Sequence, residues 1–382
     1  MGKTRLTICF LGEAKKEDIF TVRWAKYFAN KGHNVYLISY GLPERKNTGN
    51  IKVYILKKKF PKINSWPFNA IFNLPFALAQ VKKIIREIKP DIIHAQCITN
   101  YGTLASLIGF HPFVVTAYGS DILINPKKFL PLKWSTKYAL KKADFITCDA
   151  QHMKGAMVKL GADESKIKII NFGIDTKKFS PKEKKKELLE KLGIKENEKI
   201  IISLRRLEPI YDIETLIKAA QIVLEEFQAT KFLIAGKGIE EEKLKEMAQS
   251  LNIVNNILFL GWIDNQKLPD YINISDIYVS TSLSDGGIAS STAEAMACGK
   301  PVIITDSGEN KEWIEDGMNG FLIPIKSPEI LAKRIISLLK NTNRSVLIGQ
   351  NTRMTIERRN DYYIEMEKIE GIYYQLSNER YE

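Results

Sequence analysis

Ser282-Leu-Ser-Asp-Gly-Gly-Ile-Ala-Ser-Ser-Thr-Ala-Glu-Ala-Met-Ala-Cys-Gly-Lys-Pro301 follows the apolar run Ile277–Ser280. The pattern is that of a strand ending in a Gly-Gly loop that opens a helix. Gly286 and Gly287 permit close backbone approach, and their amides can point at an anion. The start of the helix adds positive partial charge. Together these features suit a diphosphate. Glu294 stands one turn into the helix and has two readings. It contacts a ligand, or it closes a capping box with Ser291 as N-cap and Glu294 at N3.

Working outward from this segment, apolar runs alternate with helical patterns. Leu6–Leu11, Val35–Ser39, Ile51–Leu56, Asp91–Ala95, Phe113–Thr116 and Phe145–Cys148 read as strands. Helical patterns occupy Ile19–Lys31, stopped by Gly32, and Phe76–Lys89, stopped by Pro90. The polar stretch Ser180–Lys195 reads as a linker with a short helix. The pattern then restarts: strands at Lys199–Leu204, Lys231–Ala235, Ile257–Leu260, Ile277–Ser280 and Pro301–Thr305, and a long helix at Asp212–Phe227. Strands separated by helices imply parallel sheets with crossover connections. The expectation is α/β, with two Rossmann-like doubly wound domains facing across a cleft and ligands at the carboxyl ends of the strands.

The chain has 382 residues, 45% of them hydrophobic and 26% charged, the composition of a globular protein with room for two domains. No run approaches the roughly 20 apolar residues of a membrane span. The apolar run Leu6–Leu11 is too short for a signal peptide and reads better as a first strand. Cys9, Cys97, Cys148 and Cys298 are far apart in sequence and read as reduced, buried thiols. With only four histidines, a metal cluster is not expected. Charge is unevenly placed: residues 1–180 carry 30 Lys and Arg against 12 Asp and Glu, and the remainder carries 27 against 32. That asymmetry suggests two domains with different partners. No helix-turn-helix, zinc-finger or stacking pattern supports nucleic-acid binding.

The opening segment resembles the signature of the retaining glycosyltransferase family four, in which Glu-Gly-Phe-Gly precedes a helix with Glu-Ala-Met-Ala-Cys-Gly-x-Pro-Val. Glu294 to Val302 match its second half. The family's first glutamate falls on Gly286, and Asp285 stands one position before it. Val22–Val35, Pro90-Asp-Ile-Ile-His-Ala95, Gly173-Ile-Asp175 with Phe179 and Pro181, and Gly317-Met-Asn-Gly-Phe-Leu322 resemble further family segments in the same order. The resemblance implies the GT-B fold. Residues 1–178 would form an acceptor-side domain, with the C-terminal helix, about 360–382, packing back on it. Residues 179–359 would form the nucleotide-sugar-binding domain.

The resemblance also implies site residues. Ser203-Leu-Arg-Arg-Leu-Glu-Pro-Ile-Tyr-Asp212 is similar to Gly-Arg-Leu-x-x-x-Lys-Gly. It places the diphosphate-binding arginine on Arg206, whose fork suits phosphate oxygens. Tyr211 takes the lysine position, and Arg205 can supply charge in its place. Thr116-Ala-Tyr-Gly-Ser-Asp-Ile122 is similar to a loop that borders the donor sugar and acceptor, with Tyr118 in place of His. Asp121 there either meets a sugar hydroxyl or fixes the loop. Glu294 would bind the donor ribose. Gly12, Gly236, Lys237, Ile263, Asp285, Gly286, Gly287 and Ile288 complete the expected donor set, with no metal and no cofactor.

The expected activity is retaining, metal-independent sugar transfer from a nucleotide-sugar donor to an acceptor, a lipid-linked or cell-surface glycan precursor. The alternatives are an inverting transferase or epimerase, and a non-catalytic glycan- or nucleotide-binding relative. The expected location is cytoplasmic, with peripheral contact at the inner face of the cell membrane. Lys57-Lys-Lys-Phe-Pro-Lys62, followed by Trp66, Phe68, Ile71, Phe72, Leu74 and Phe76, has two readings, packing into the core or meeting anionic lipid, and the second is the expectation.

Overall fold

The computed structural model describes residues 5–14, 19–41, 49–59, 68–285 and 287–379. The chain divides into two compact units, residues 1–172 with 364–382, and residues 173–363.

Unit 1 is built on a seven-stranded sheet. In chain order its strands are β1 (Thr7–Leu11), β2 (Asn34–Ser39), β3 (Lys52–Ile55), β4 (Ile92–Gln96), β5 (Phe113–Thr116), β6 (Phe145–Cys148) and β7 (Ile167–Ile169). Their spatial order is β3-β2-β1-β4-β5-β6-β7, and every pairing is parallel. The order reverses between β1 and β4. The chain leaves these two strands toward opposite faces, which opens a crevice at their carboxyl ends. Side chains alternate across the sheet. Cys9, Leu11, Ile93 and Ala95 face a core shared with Val81 and Ile85. On the other face Phe10 stacks on its register partner His94, and Phe28 and Tyr373 lie beside them.

Sequence and structure differ at the helix that precedes β4. The expected start at Phe76 is overturned: the helix spans Phe68–Ile88 with Pro75 inside it. Proline removes one backbone donor from the helix without ending it here. Ala77, Val81 and Ile85 hold the continuing helix against the core.

Unit 2 repeats the plan with β8 (Lys199–Ser203), β9 (Thr230–Ala235), β10 (Ile257–Gly261), β11 (Ile277–Ser280), β12 (Val302–Thr305) and β13 (Phe321–Ile323), in the order β10-β9-β8-β11-β12-β13. All of these pairs are parallel, and the reversal falls between β8 and β11. The strands are near-continuous apolar runs, such as Ile200-Ile201-Ile202, because helices cover both faces. Short strands β7 and β13 were not apparent from sequence; each is only three residues long.

The helix Tyr362–Glu379 is fastened into unit 1 through polar groups. Tyr373 Oη bonds His94 Nδ1, His94 Nε2 lies 2.7 Å from Thr116 Oγ1, and Glu370 pairs with His33 at 3.0 Å. Burial pushes the His94 imidazole down to about 3 from 6.5. A neutral buried imidazole that titrates only when unfolded stabilises the fold fully above pH 6.5. That contribution is lost as pH falls toward 3, at about 1.4 kcal/mol per pH unit. Thermal unfolding across this range is expected to show the slope in the parent and a flatter one in His94→Gln, which is less stable at neutral pH. Equal acid slopes would contradict the assignment.

Candidate active site

The carboxyl edge of the unit 1 sheet carries Gly12, after β1, and Gln96, at the end of β4, one on each side of the strand-order reversal. Gly12 leaves no room for a side chain unless Thr21 shifts: a Cβ there would stand 2.6 Å from Thr21 Cγ2 and 3.1 Å from Gln96 Cβ. Tyr118, after β5, donates its hydroxyl to Gln96 Oε1 at 2.7 Å and lies 3.5 Å from Thr21 Oγ1. Its ring packs on Phe20 and Phe172. Gln96 Nε2 is buried with no hydrogen-bond partner among the described residues, a donor available to a ligand oxygen. Sequence reasoning missed Gln96, because the strand was read one residue short.

Asp121 resolves to the second of its two readings. Its carboxylate is buried and accepts from Ile98 N at 2.8 Å and Tyr118 N at 3.0 Å. It therefore fixes the loop that presents Tyr118. Burial raises its pKa, while the backbone donors oppose the rise.

In unit 2 the loops after β8, β9, β11 and β12 interlock by backbone. A Cβ on Gly236 would stand 2.1 Å from the Arg205 carbonyl oxygen, and one on Gly238 2.0 Å from that of Leu207. Gly308, at φ 58°, approaches the Asp285 carbonyl so closely that a Cβ would overlap it at 1.6 Å. Leu283 N donates to Ile210 O at 2.8 Å, and Thr281 Oγ1 to Tyr211 O at 2.9 Å. These ties gather the loops at the carboxyl edge.

Arg205 and Asp285 follow β8 and β11, so their ion pair bridges the reversal point of unit 2. Their side chains are 9% and 8% exposed. The Arg205 guanidinium lies 4.5 Å from the centroid of the Tyr211 ring. Tyr211, in the position expected for lysine, thus supports a neighbouring cation. The Arg205 charge is already met by Asp285. Arg206 turns the other way. Its side chain is 69% exposed and lies 3.3 Å from Glu208. Lys237 is exposed, forms no ion pair among the described residues, and runs past Gly261, with Cε 3.6 Å from where a Cβ there would sit. Ile263 is half-buried just beyond.

The helix after the Gly-Gly loop spans Ser290–Ala297 with Ala289 at its N-cap. The capping-box reading of Glu294 is overturned, because Ser291 lies inside the helix and its hydroxyl is 2.9 Å from Tyr278 Oη. From Thr292 to Cys298, Glu294 is the one residue that is not buried, with Ala293, Ala295, Met296 and Ala297 packed inward. Ile288 is half-buried and packs on the same cluster, and Gly287 has open space at its Cβ. Gly286 lies outside the described residues. Among the described residues no three His, Cys, Asp or Glu side chains form a metal-sized group.

Two α/β units, each a parallel sheet with one reversal point, are the plan of the GT-B fold. The chain belongs to the glycosyl transferases of group 1: that family matches residues 184–355, and the description "glycosyl transferase 4-like" matches residues 7–150. An uncharacterized glycosyltransferase of Methanocaldococcus jannaschii is 26% identical over 91% of this chain and 92% of its own length. The UDP-Gal:alpha-D-GlcNAc-diphosphoundecaprenol alpha-1,3-galactosyltransferase of Escherichia coli is 27% identical over 76% of this chain and 79% of its own. In fold, HepE of Anabaena, crystallised with UDP, covers 96% of this chain and 99% of its own with a TM-score of 0.78 at 20% identity.

The two arginines separate experimentally. Arg205→Ala leaves Asp285 as an unpaired buried charge and is expected to cost about 3–5 kcal/mol of stability. Arg206→Ala is expected to stay within about 0.5 kcal/mol of the parent. Chemical denaturation checks both, and equal losses would contradict the distinction.

Proposed function

We propose that this chain transfers a sugar from a nucleotide-diphosphate sugar to a lipid-linked or cell-surface glycan precursor, with retention at the anomeric carbon and without a divalent metal. One observation carries the reading: Arg206, Lys237 and the amino end of the helix Ser290–Ala297 stand on loops gathered at one sheet edge, and Glu294 is a half-buried carboxylate on that helix. The first three offer positive charge to a diphosphate. Glu294 offers acceptor oxygens to the ribose hydroxyls. The backbone at Ile263 meets the base. UDP in the Anabaena neighbour and the diphosphoundecaprenol-linked substrate named for the Escherichia coli relative support the donor and acceptor classes.

In this mechanism the bond from the anomeric carbon to the donor phosphate oxygen breaks as the acceptor oxygen bonds the same face. The acceptor proton passes to the leaving diphosphate. Arg206, Lys237 and the helix amides stabilise the charge developing there, where preorganised donors act most strongly. Tyr118, whose loop Asp121 fixes, and the Gln96 amide offer hydrogen bonds that orient acceptor hydroxyls.

A second reading, binding without turnover, is favoured by the Arg205–Asp285 pair, which neutralises one of the two arginines.

A donor screen for nucleoside diphosphate release, with and without lipid-linked acceptor, decides between them. The expected outcome is acceptor-dependent release that survives chelator, a product with the donor's anomeric configuration by NMR, and a donor kcat/KM in Arg206→Ala lowered by the equivalent of about 2–4 kcal/mol. Glu294→Gln is expected to impair donor use with little loss of stability. Donor binding without release supports the second reading. Chelator inhibition reversed by one metal contradicts metal independence.

A further inference from the structure

Between Asp121 and Asp144 the chain carries six lysines and no aspartate or glutamate. Most of this segment is the helix Leu130–Lys142, whose inward face buries Leu132, Thr136, Ala139 and Leu140. It packs on the helices Ile98–Gly102 and Thr103–Ile108 of unit 1. The outward face breaks the usual rule for a helix surface. Leu130, Trp134 and Tyr138 follow one another at a spacing of four, so they align in one stripe, and they are 68%, 71% and 41% exposed. Lys133, Lys137 and Lys141 form the adjoining exposed row, and Lys142 Nζ stands 5.8 Å from the Tyr138 ring centroid. Exposed Ile124, Lys127 and Lys128 extend the same composition ahead of the helix. None of the six lysines pairs with a carboxylate among the described residues.

We propose that this face docks on an anionic lipid surface. Single exposed apolar residues need no explanation, but an aligned stripe does. The centre of a protein interface is depleted in lysine. An aromatic and aliphatic stripe set among lysines instead matches the boundary of a bilayer: the rings and Leu130 enter the headgroup region while the ammonium groups meet phosphate. Charge complementarity selects anionic lipid, since every charged side chain on the face is positive. The segment begins directly after the Tyr118–Asp121 loop, so it adjoins in the chain the residues proposed to meet the acceptor. The docking rests on this helix and stands whatever the transferred sugar is.

The Lys57–Phe76 segment is the competing surface. Lys57, Lys58 and Lys59 are exposed, as are Phe72 and Phe76, which sit on the helix Phe68–Ile88. Residues 60–67 lie outside the described residues.

The test is co-sedimentation of the full chain with phosphatidylcholine vesicles, with and without phosphatidylglycerol, at low and high salt. Binding is expected only with phosphatidylglycerol and is expected to weaken with salt. The combined Leu130→Ser, Trp134→Ser, Tyr138→Ser variant is expected to lose about tenfold in bound fraction, with an unfolding transition matching the parent's. The combined Lys57→Glu, Lys58→Glu, Lys59→Glu variant is expected to bind as the parent does. Quenching of tryptophan fluorescence by brominated lipid, lost in Trp134→Phe, locates the contact even if the serine variant does not fold. A chain that stays in the supernatant with phosphatidylglycerol at low salt overturns the proposal. So does a folded serine variant that binds normally, or a stripe that proves to mediate self-association without vesicle binding.

Discussion

A parallel sheet whose strand order reverses cannot close its carboxyl edge at the reversal, because the chain leaves the two adjacent strands toward opposite faces. Everything else in this molecule is arranged around that constraint, met once in each unit. In unit 1 the gap lies between β1 and β4, and Gly12, Gln96 and Tyr118 surround it. In unit 2 it lies between β8 and β11, and the Arg205–Asp285 pair spans it. The glycines at 236, 238 and 308 serve the same geometry: each lets one loop pass another at backbone distance, so that four loops share one edge.

The Arg205–Asp285–Tyr211 group explains how a variant of the family pattern keeps its architecture. An aromatic ring replaces the expected lysine and lies on a guanidinium, and the guanidinium ties the β8 loop to the β11 loop. A buried pair of this kind adds little net stability against a well-packed apolar substitute, but it is costly to break from one side. Its value lies in fixing where the β11 loop starts, and hence where the helix Ser290–Ala297 points. In the proposed reaction phosphate binding falls to the exposed cations at the edge, Lys237 and Arg206, the latter beside Glu208.

Much of this was legible in the sequence because buried parallel strands are written as short apolar runs. Phe113–Thr116, Phe145–Cys148 and Ile277–Ser280 were read with their observed bounds. The reversal points were not legible, since strand order is a long-range property that no local pattern carries. The neighbouring arginines were equally opaque: one turns inward and the other outward only because Asp285 and Tyr211 lie on one side. Ser291 and Glu294 carry a valid capping pattern, but the helix begins two residues earlier and Ser291 bonds Tyr278 instead. The Lys-rich helix shows its charge pattern in the sequence but not its function. Its stripe acquires meaning only once Leu132, Thr136 and Leu140 are seen to take the inward side.

The central claim is that the carboxyl edge of unit 2 is the nucleotide-sugar site. Hydrogen–deuterium exchange, with uridine diphosphate and guanosine diphosphate added separately, tests it most directly. At least one of the two is expected to slow exchange in peptides covering Arg206, Gly236–Gly238, Gly261–Ile263 and Asp285–Glu294, leaving β13 and the helix Leu130–Lys142 unchanged. Protection confined to other surfaces, or none with either nucleotide at saturating concentration, would contradict the account.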